Sequence, residues 1–365
     1  MATLLVSNHN RLTALDAFRG ATMAFMVLVN NPGNGDFSYA PLKHADWDGW
    51  TPTDVVFPSF VWIVGVALTL ALSKKLEAGN TRGQLLIQAA KRAAIIFFLG
   101  LLVYAVPHFD PVTFRILGVL QRIAICYLIT VAIYLYSTWR GQVAAIVTLF
   151  GIYTALMFFG PVPGYASGHL DMDRNFAHYI DKIILGSHNY ANTKTWDPEG
   201  IVSTLPAIAS MLLGVMAGHI LAWKSSLTEK IKYLVLCGCA LFALGYLMDI
   251  GMPINKKLWS CSFVMVMAGI DFLLFAGFLW IADLKGNRKI FAPFVIIGMN
   301  AITVYMASEF LDTAASIFGW RDAIYTFFSR FLAPIDASLL YALLYVSLMY
   351  GIAWVLYQRR IFLRA

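Results

Sequence analysis

Long apolar runs recur along the chain, separated by polar connections. A membrane-crossing helix needs roughly 20 mostly apolar residues. Ten segments come close: 12–31, 53–73, 88–106, 114–136, 142–159, 200–222, 231–249, 260–282, 290–310 and 337–357. Segment 142–159 is the shortest of these, and 318–333 reads as an interfacial or re-entrant helix. Two longer polar stretches interrupt the pattern, at about 32–52 and 160–199. No internal repeat or low-complexity segment breaks the series. The expectation is an all-α polytopic membrane protein with about ten transmembrane helices, organised as a single transmembrane domain over residues 1–365. The first apolar run is long enough to span and reads as a retained helix rather than a cleaved signal.

Charge then orients the pattern. Lys and Arg concentrate on the cytoplasmic side of spanning segments. Alternate connections carry sixteen basic residues on one side and nine on the other, with Arg19 and Arg122 left inside spans. The richer side includes Arg11, Lys74, Lys75, Arg92, Lys289 and Arg364, so both termini are expected in the cytoplasm. The polar stretches at 32–52 and 160–199 then face the outside.

Composition agrees: 59% of residues are hydrophobic, 13% are charged and mean hydropathy is +0.70. Soluble domains carry about 25% charged residues. The pI near 9.1 does not point to nucleic acid, because the basic residues sit in connections rather than on one face. Cys126, Cys237, Cys239 and Cys261 lie in or beside apolar runs, without the spacing of a zinc site, and read as apolar filler. No metal is expected.

Against this background, polar residues inside spans stand out, because ionisable groups in lipid are costly and usually face a site or a partner. Asp16 and Arg19 are three apart on one helix face, either as an ion pair or as a contact to an anionic ligand. Gln121 and Arg122 lie within the fourth segment; a buried arginine suits a carboxylate partner or a phosphate. Asn30 and Asn31 close the first segment, either as a cap or as donors to a developing oxyanion. Asp197 and Glu199 open the sixth segment, as helix-start carboxylates or as contacts to an ammonium or sugar hydroxyls. Asn255, Lys256 and Trp259 precede the eighth, and Asn300 lies well inside the ninth, where it needs a partner helix or a ligand.

The densest signal is KHADWDGWTPTDVVFPSF, from Lys43. His44 stands at the lip of a spanning segment with Asp46, Asp48 and Asp54 close by. An imidazole is suited to proton transfer near neutrality, and a carboxylate such as Asp46 or Asp48 can orient it.

Six motifs in order, LDAFRG, KHADWDGWTPTDVVFPSFVWIVG, GVLQRIAICY, DPEGIVSTLPAI, INKKLWSCSF and GMNAITVY, resemble the heparan-α-glucosaminide N-acetyltransferase family and its bacterial relatives. The resemblance implies a multispan acyltransferase that draws acetyl from cytosolic acetyl-CoA and places it on an amino sugar across the membrane. It implies that His44, in its K-H-A-x-W-x-G context, is the catalytic residue, and that Asn30 matches the family's V-N position. The chain starts almost directly at the core spans, so it looks like a bacterial form, in the inner membrane, and its acceptor need not be heparan sulfate. The resemblance also suggests a homodimer.

The expected reaction is acetyl transfer to glucosamine or a terminal amino sugar. His44 is the base or acetyl carrier, Asp46 its orienting carboxylate and Asn30 the oxyanion donor. Acceptor contacts are expected from Asp54, Asp197, Glu199, Asn255, Lys256, Trp259 and Asn300. Contacts to acetyl-CoA are expected from Arg19, Arg92, Gln121 and Arg122, with Lys289 as a further cation by location. The competing readings are an amino-sugar transporter and an acyltransferase with a hydroxyl acceptor.

Overall fold

The computed structural model describes residues 12–106 and 109–362. Arg11 and Arg364, counted in the charge asymmetry, lie outside these residues. The described chain is helical, with no strand among the described residues. Helices α1 (Thr13–Asn30), α2 (Pro52–Glu77), α3 (Arg82–Ala105), α4 (Val119–Tyr136) and α5 (Trp139–Phe159) come first, followed by the short α6 (Phe176–Ile184). The rest are α7 (Thr204–Ala222), α8 (Leu227–Asp249), α9 (Cys261–Phe278), α10 (Ala292–Met299), α11 (Ala301–Ile317), α12 (Trp320–Phe328) and α13 (Pro334–Gln358).

Eight helices are long and apolar enough to cross a membrane, or nine if α10 and α11 count as one bent span. The expected ten therefore reduces by the first segment. It forms an eighteen-residue helix, but Asp16, Arg19 and Asn30 dilute its apolar character. The ninth segment is not one rod: its two halves meet at a 70° bend, with Asn300 between them. The short fifth segment is extended to twenty-one residues by its polar start at Trp139. Segment 318–333 becomes α12, nine residues long and too short to span, with Trp320, Phe327 and Phe331 exposed beside it or on it.

α2 and α7 form the buried centre, and glycine sets how closely helices cross there. A Cβ at Gly65 would fall on the Met211 carbonyl, and one at Gly214 on the Trp62 carbonyl. α1 meets α10 in the same way: a Cβ at Gly20 would strike the Phe294 carbonyl and one at Gly298 the Asp16 carbonyl. Such crossings bring backbones together where lipid gives helices no hydrophobic drive to associate. Phe18, Trp62, Phe272 and Phe275 fill the space between α1, α2 and α9 with tilted and edge-on ring contacts. Pinning α1, α2 and α10 together frames a cavity on the flank facing α3 and α4.

Candidate active site

The start of α2 builds the site. Thr51-Pro52-Thr53-Asp54 is a capping box, in which Thr51 and Asp54 satisfy each other's backbone donors and Pro52 takes the first helical position. The Thr51 N–H donates to Asp54 Oδ2 at 3.0 Å, and so does the Ala45 N–H at 3.0 Å. This anchors Oδ2 and turns Oδ1 towards the loop, where His44 Nδ1 lies 2.7 Å away. Lys256 Nζ is 3.3 Å from the same oxygen and 3.0 Å from Nδ1. Asp54 is 1% exposed and the His44 side chain 50%. When Nδ1 donates to the carboxylate, Nε2 is the nitrogen left for chemistry. The arrangement is a carboxylate–imidazole dyad of the kind that serves general-base or nucleophilic catalysis.

A second loop backs the first. The Gly49 N–H donates to the Ile254 carbonyl at 2.7 Å, and the Asn255 amide donates to Asp48 Oδ1 at 3.2 Å. Lys257 donates to the Asp46 carbonyl. Beneath them Trp259 is 1% exposed and has a left-handed backbone (φ 52°), an uncommon state for a bulky residue. Its indole N–H donates to Ser210 Oγ at 3.0 Å, and its ring meets Phe57 edge-on.

Arg115 organises the neighbouring cluster. Its Nε and Nη2 grip both Asp197 oxygens at 2.8 and 2.6 Å, Nη2 also reaches Glu199 at 2.5 Å, and Nη1 donates to Tyr104 Oη at 3.1 Å. The guanidinium lies over the rings of Tyr104 and Tyr190. Burial disfavours the Glu199 charge, but Arg115, Arg122 and Lys256 outweigh it and hold the carboxyl below its ordinary range. Deeper, Arg122 donates to the Gly200 carbonyl at 3.1 Å and to Ser203, and lies over Trp259. Its Nε and Nη1 have no partner among the described residues, and neither do the carboxamides of Gln121 and Asn300.

A cavity of about 400 Å³ opens between α1, α2, α3, α4 and the bent pair. Its wall is mainly apolar, with Phe60, Leu68, Ile96 and Met299 typical of it, while Arg19, Lys75 and Arg92 supply cations. Arg92 lies over the ring of Tyr127, another lining residue. Gln121 and Asn300 are sequence neighbours of the lining residues Leu120, Met299 and Ala301.

The sequence profile of the heparan-alpha-glucosaminide N-acetyltransferase catalytic domain matches residues 11–246. The chain belongs to that family. Among curated relatives, heparan-alpha-glucosaminide N-acetyltransferase of Mus musculus is 30% identical over an alignment covering 98% of this chain and 61% of the relative. The Homo sapiens protein of the same name is 29% identical over 96% of this chain and 59% of its own. The chain thus spans about three fifths of the length of these relatives.

The N-acetyltransferase family motifs fall at both the dyad and the cavity, though not always in the expected roles. His44 meets Asp54, ten residues on, because the capping box folds that carboxylate back under the loop. Asp46 is exposed, its side chain has no bond to His44, and only its backbone carbonyl is engaged. Asp48 is taken by Asn255 rather than by the imidazole. Asn255 and Trp259 are buried and spend their polar atoms inside the protein. Asp197 and Glu199 are bound by Arg115. Asn30 is exposed at the end of α1, and its carboxamide has no hydrogen-bond partner among the described residues. The Asn31 amide instead donates to the Val27 carbonyl at 2.8 Å. Arg19 pairs with Asp16 at 3.4 Å and lines the cavity, as does Arg92; Lys289 is exposed and does not line it. Lys75 and Arg115 are the residues that sequence reasoning missed. In the linear chain both are only basic residues beside apolar runs, and the partners of Arg115 are 82 and 84 positions away.

Proposed function

We propose that this protein transfers acetyl from acetyl-CoA, held in the cavity, to the amine of glucosamine or a terminal amino sugar at the His44 end. The observation that carries the proposal is the span of α2. Asp54 stands in its first turn and Lys75 in its last. At 1.5 Å per residue they lie about 32 Å apart, close to the roughly 30 Å of a bilayer core. The base and the cationic mouth therefore occupy opposite ends of one helix.

The cavity suits an acyl-pantetheine chain: it is mostly apolar, with Arg19, Lys75 and Arg92 placed for phosphates. Gln121, Arg122 and Asn300, whose unpartnered polar atoms neighbour the lining, mark the route towards the outer site. The excess of Lys and Arg on the Lys75 side supports a cytoplasmic donor and an outer acceptor.

At the outer end the amine nitrogen attacks the thioester carbonyl carbon. Its proton passes to His44 Nε2 while Asp54 holds Nδ1–H. Charge grows on the carbonyl oxygen, where Asn30 is the proposed donor; its amide is free, whereas that of Asn31 is not. The C–S bond breaks, its electron pair goes to sulfur, and the thiolate takes up a proton. Glu199, 11% exposed beside Arg115, is the proposed acceptor of sugar hydroxyls or an ammonium, while the covered Asp197 holds Arg115 in place.

The test uses protein in sealed liposomes, with acetyl-CoA on one side and glucosamine on the other, and N-acetylglucosamine read by mass spectrometry. Wild type is expected to make product and His44→Ala none. Uptake of labelled amino sugar without consumption of acetyl-CoA would overturn the proposal in favour of transport.

A further inference from the structure

We propose that Lys256 is a positioning residue that decides which ring nitrogen of His44 carries the proton, and so switches the imidazole between base and non-base states. The inference deepens the role given to His44 above and rests on that reading.

It begins with an over-subscribed atom. His44 Nδ1 is within hydrogen-bond reach of Asp54 Oδ1, at 2.7 Å, and of Lys256 Nζ, at 3.0 Å. A carboxylate only accepts and an ammonium only donates, while a neutral imidazole offers one N–H and one lone pair. Nδ1 therefore cannot serve both neighbours at once. Carrying the proton, it donates to Asp54 and leaves the lone pair on Nε2, which can then take a proton from an amine. Accepting from Lys256, it forces the proton onto Nε2, and the base is gone.

Neither state strands a buried charge. When the ring turns to Lys256, Asp54 keeps the Ala45 and Thr51 backbone donors, and Lys256 remains 3.3 Å from Oδ1. When the ring turns to Asp54, Lys256 still pairs with the same carboxylate.

Lys256 is held where this competition can occur. Its loop is fastened to the His44 loop through Gly49–Ile254 and Asp48–Asn255, and its side chain is mostly covered, at 22% exposure. The other charges nearby are engaged. Lys43 donates to the Asp36 carbonyl, Lys257 to the Asp46 carbonyl, Asp48 accepts from Asn255, and Glu199 is bound by Arg115. The Asp46 side chain is exposed and has no bond to the ring. That leaves Asp54 and Lys256 as the charged groups touching the ring among the described residues.

The experiment uses the full chain in lipid nanodiscs with ¹⁵N-labelled histidine, His44 being assigned by difference from His44→Gln. Ring ¹⁵N shifts are followed through the neutral pH range for wild type, Lys256→Met, Lys256→Leu and Lys256→Arg. Wild type and Lys256→Arg are expected to show both neutral tautomers, and Lys256→Met and Lys256→Leu, which offer Nδ1 no donor, the Nδ1–H form alone. An unchanged tautomer ratio in whichever of the Met and Leu variants folds would overturn the inference. Because the ring shifts are read without turnover, a wild type that fails to acetylate would sink the transferase reading alone.

Discussion

Replacing Asp54 by Asn changes one atom's chemistry and leaves the volume intact. The Ala45 and Thr51 N–H groups both point at Oδ2, at 3.0 Å each, so an Asn must present its carbonyl there. Its NH₂ then takes the place of Oδ1, facing His44 Nδ1 and Lys256 Nζ. Three donors cannot share that space, and Nδ1 is forced to accept, which puts the proton on Nε2 and removes the base. The same exchange in a Ser-His-Asp triad costs about 10⁴ in kcat. Here the ring is half exposed, so water can support part of the correct tautomer, and the expected loss is about 10²–10³-fold, or roughly 3–4 kcal/mol of barrier. The assay is single-turnover acetyl transfer to glucosamine with saturating acetyl-CoA, run beside a thermal unfolding scan. Because Asn keeps the cap bonds, Tm should move by only a few degrees. A folded Asp54→Asn enzyme within threefold of wild type would refute the claim that Asp54 sets the tautomer of His44.

The other elements give further outcomes. Ala67→Trp would fill the cavity and is expected to raise KM for acetyl-CoA more than tenfold in steady-state kinetics, with little change in Tm. Lys75→Ala and Arg92→Ala should each raise that KM several-fold and weaken its salt dependence, since each removes a partly solvated charge worth up to about 1 kcal/mol. Gly65→Val would drive a branched side chain into the Met211 carbonyl and should abolish a monodisperse peak on size-exclusion chromatography. Arg115→Met leaves two carboxylates without their partner. Because Arg115 holds Glu199 below its ordinary range, the stability it contributes is present above the carboxylate's unfolded pKa and is lost as pH falls. The Tm gap from wild type should therefore be widest at neutral pH and close on acidification, and a gap that widens in acid would contradict this.

Much of this could be seen in the linear chain. Apolar runs located the helices because a spanning segment has to be long and continuous in its chemistry. The partner of His44 was harder to read. Spacing favoured Asp46 and Asp48, but a loop is free to curl, and the capping box brought a carboxylate ten residues on into contact instead. The break at Asn300 was visible only as one polar residue in an apolar run. The 70° bend itself, and the close crossing of α10 with α1 at Gly20 and Gly298, could not be read from that residue. Arg115 gave no signal at all, since the carboxylates it joins are more than eighty positions away in sequence.

The reach of α2 has a consequence for traffic across the membrane. A transporter moves the whole of what it delivers, whereas a helix with a base at one end and phosphate-sized cations at the other allows a division of cargo. On the transferase reading proposed above, two carbons and an oxygen would cross to the outer side, while the nucleotide and thiol that carried them would stay behind for reloading. The outer side would then need no activated acyl pool of its own, and the supply of modified sugar would follow the energy state of the donor side directly.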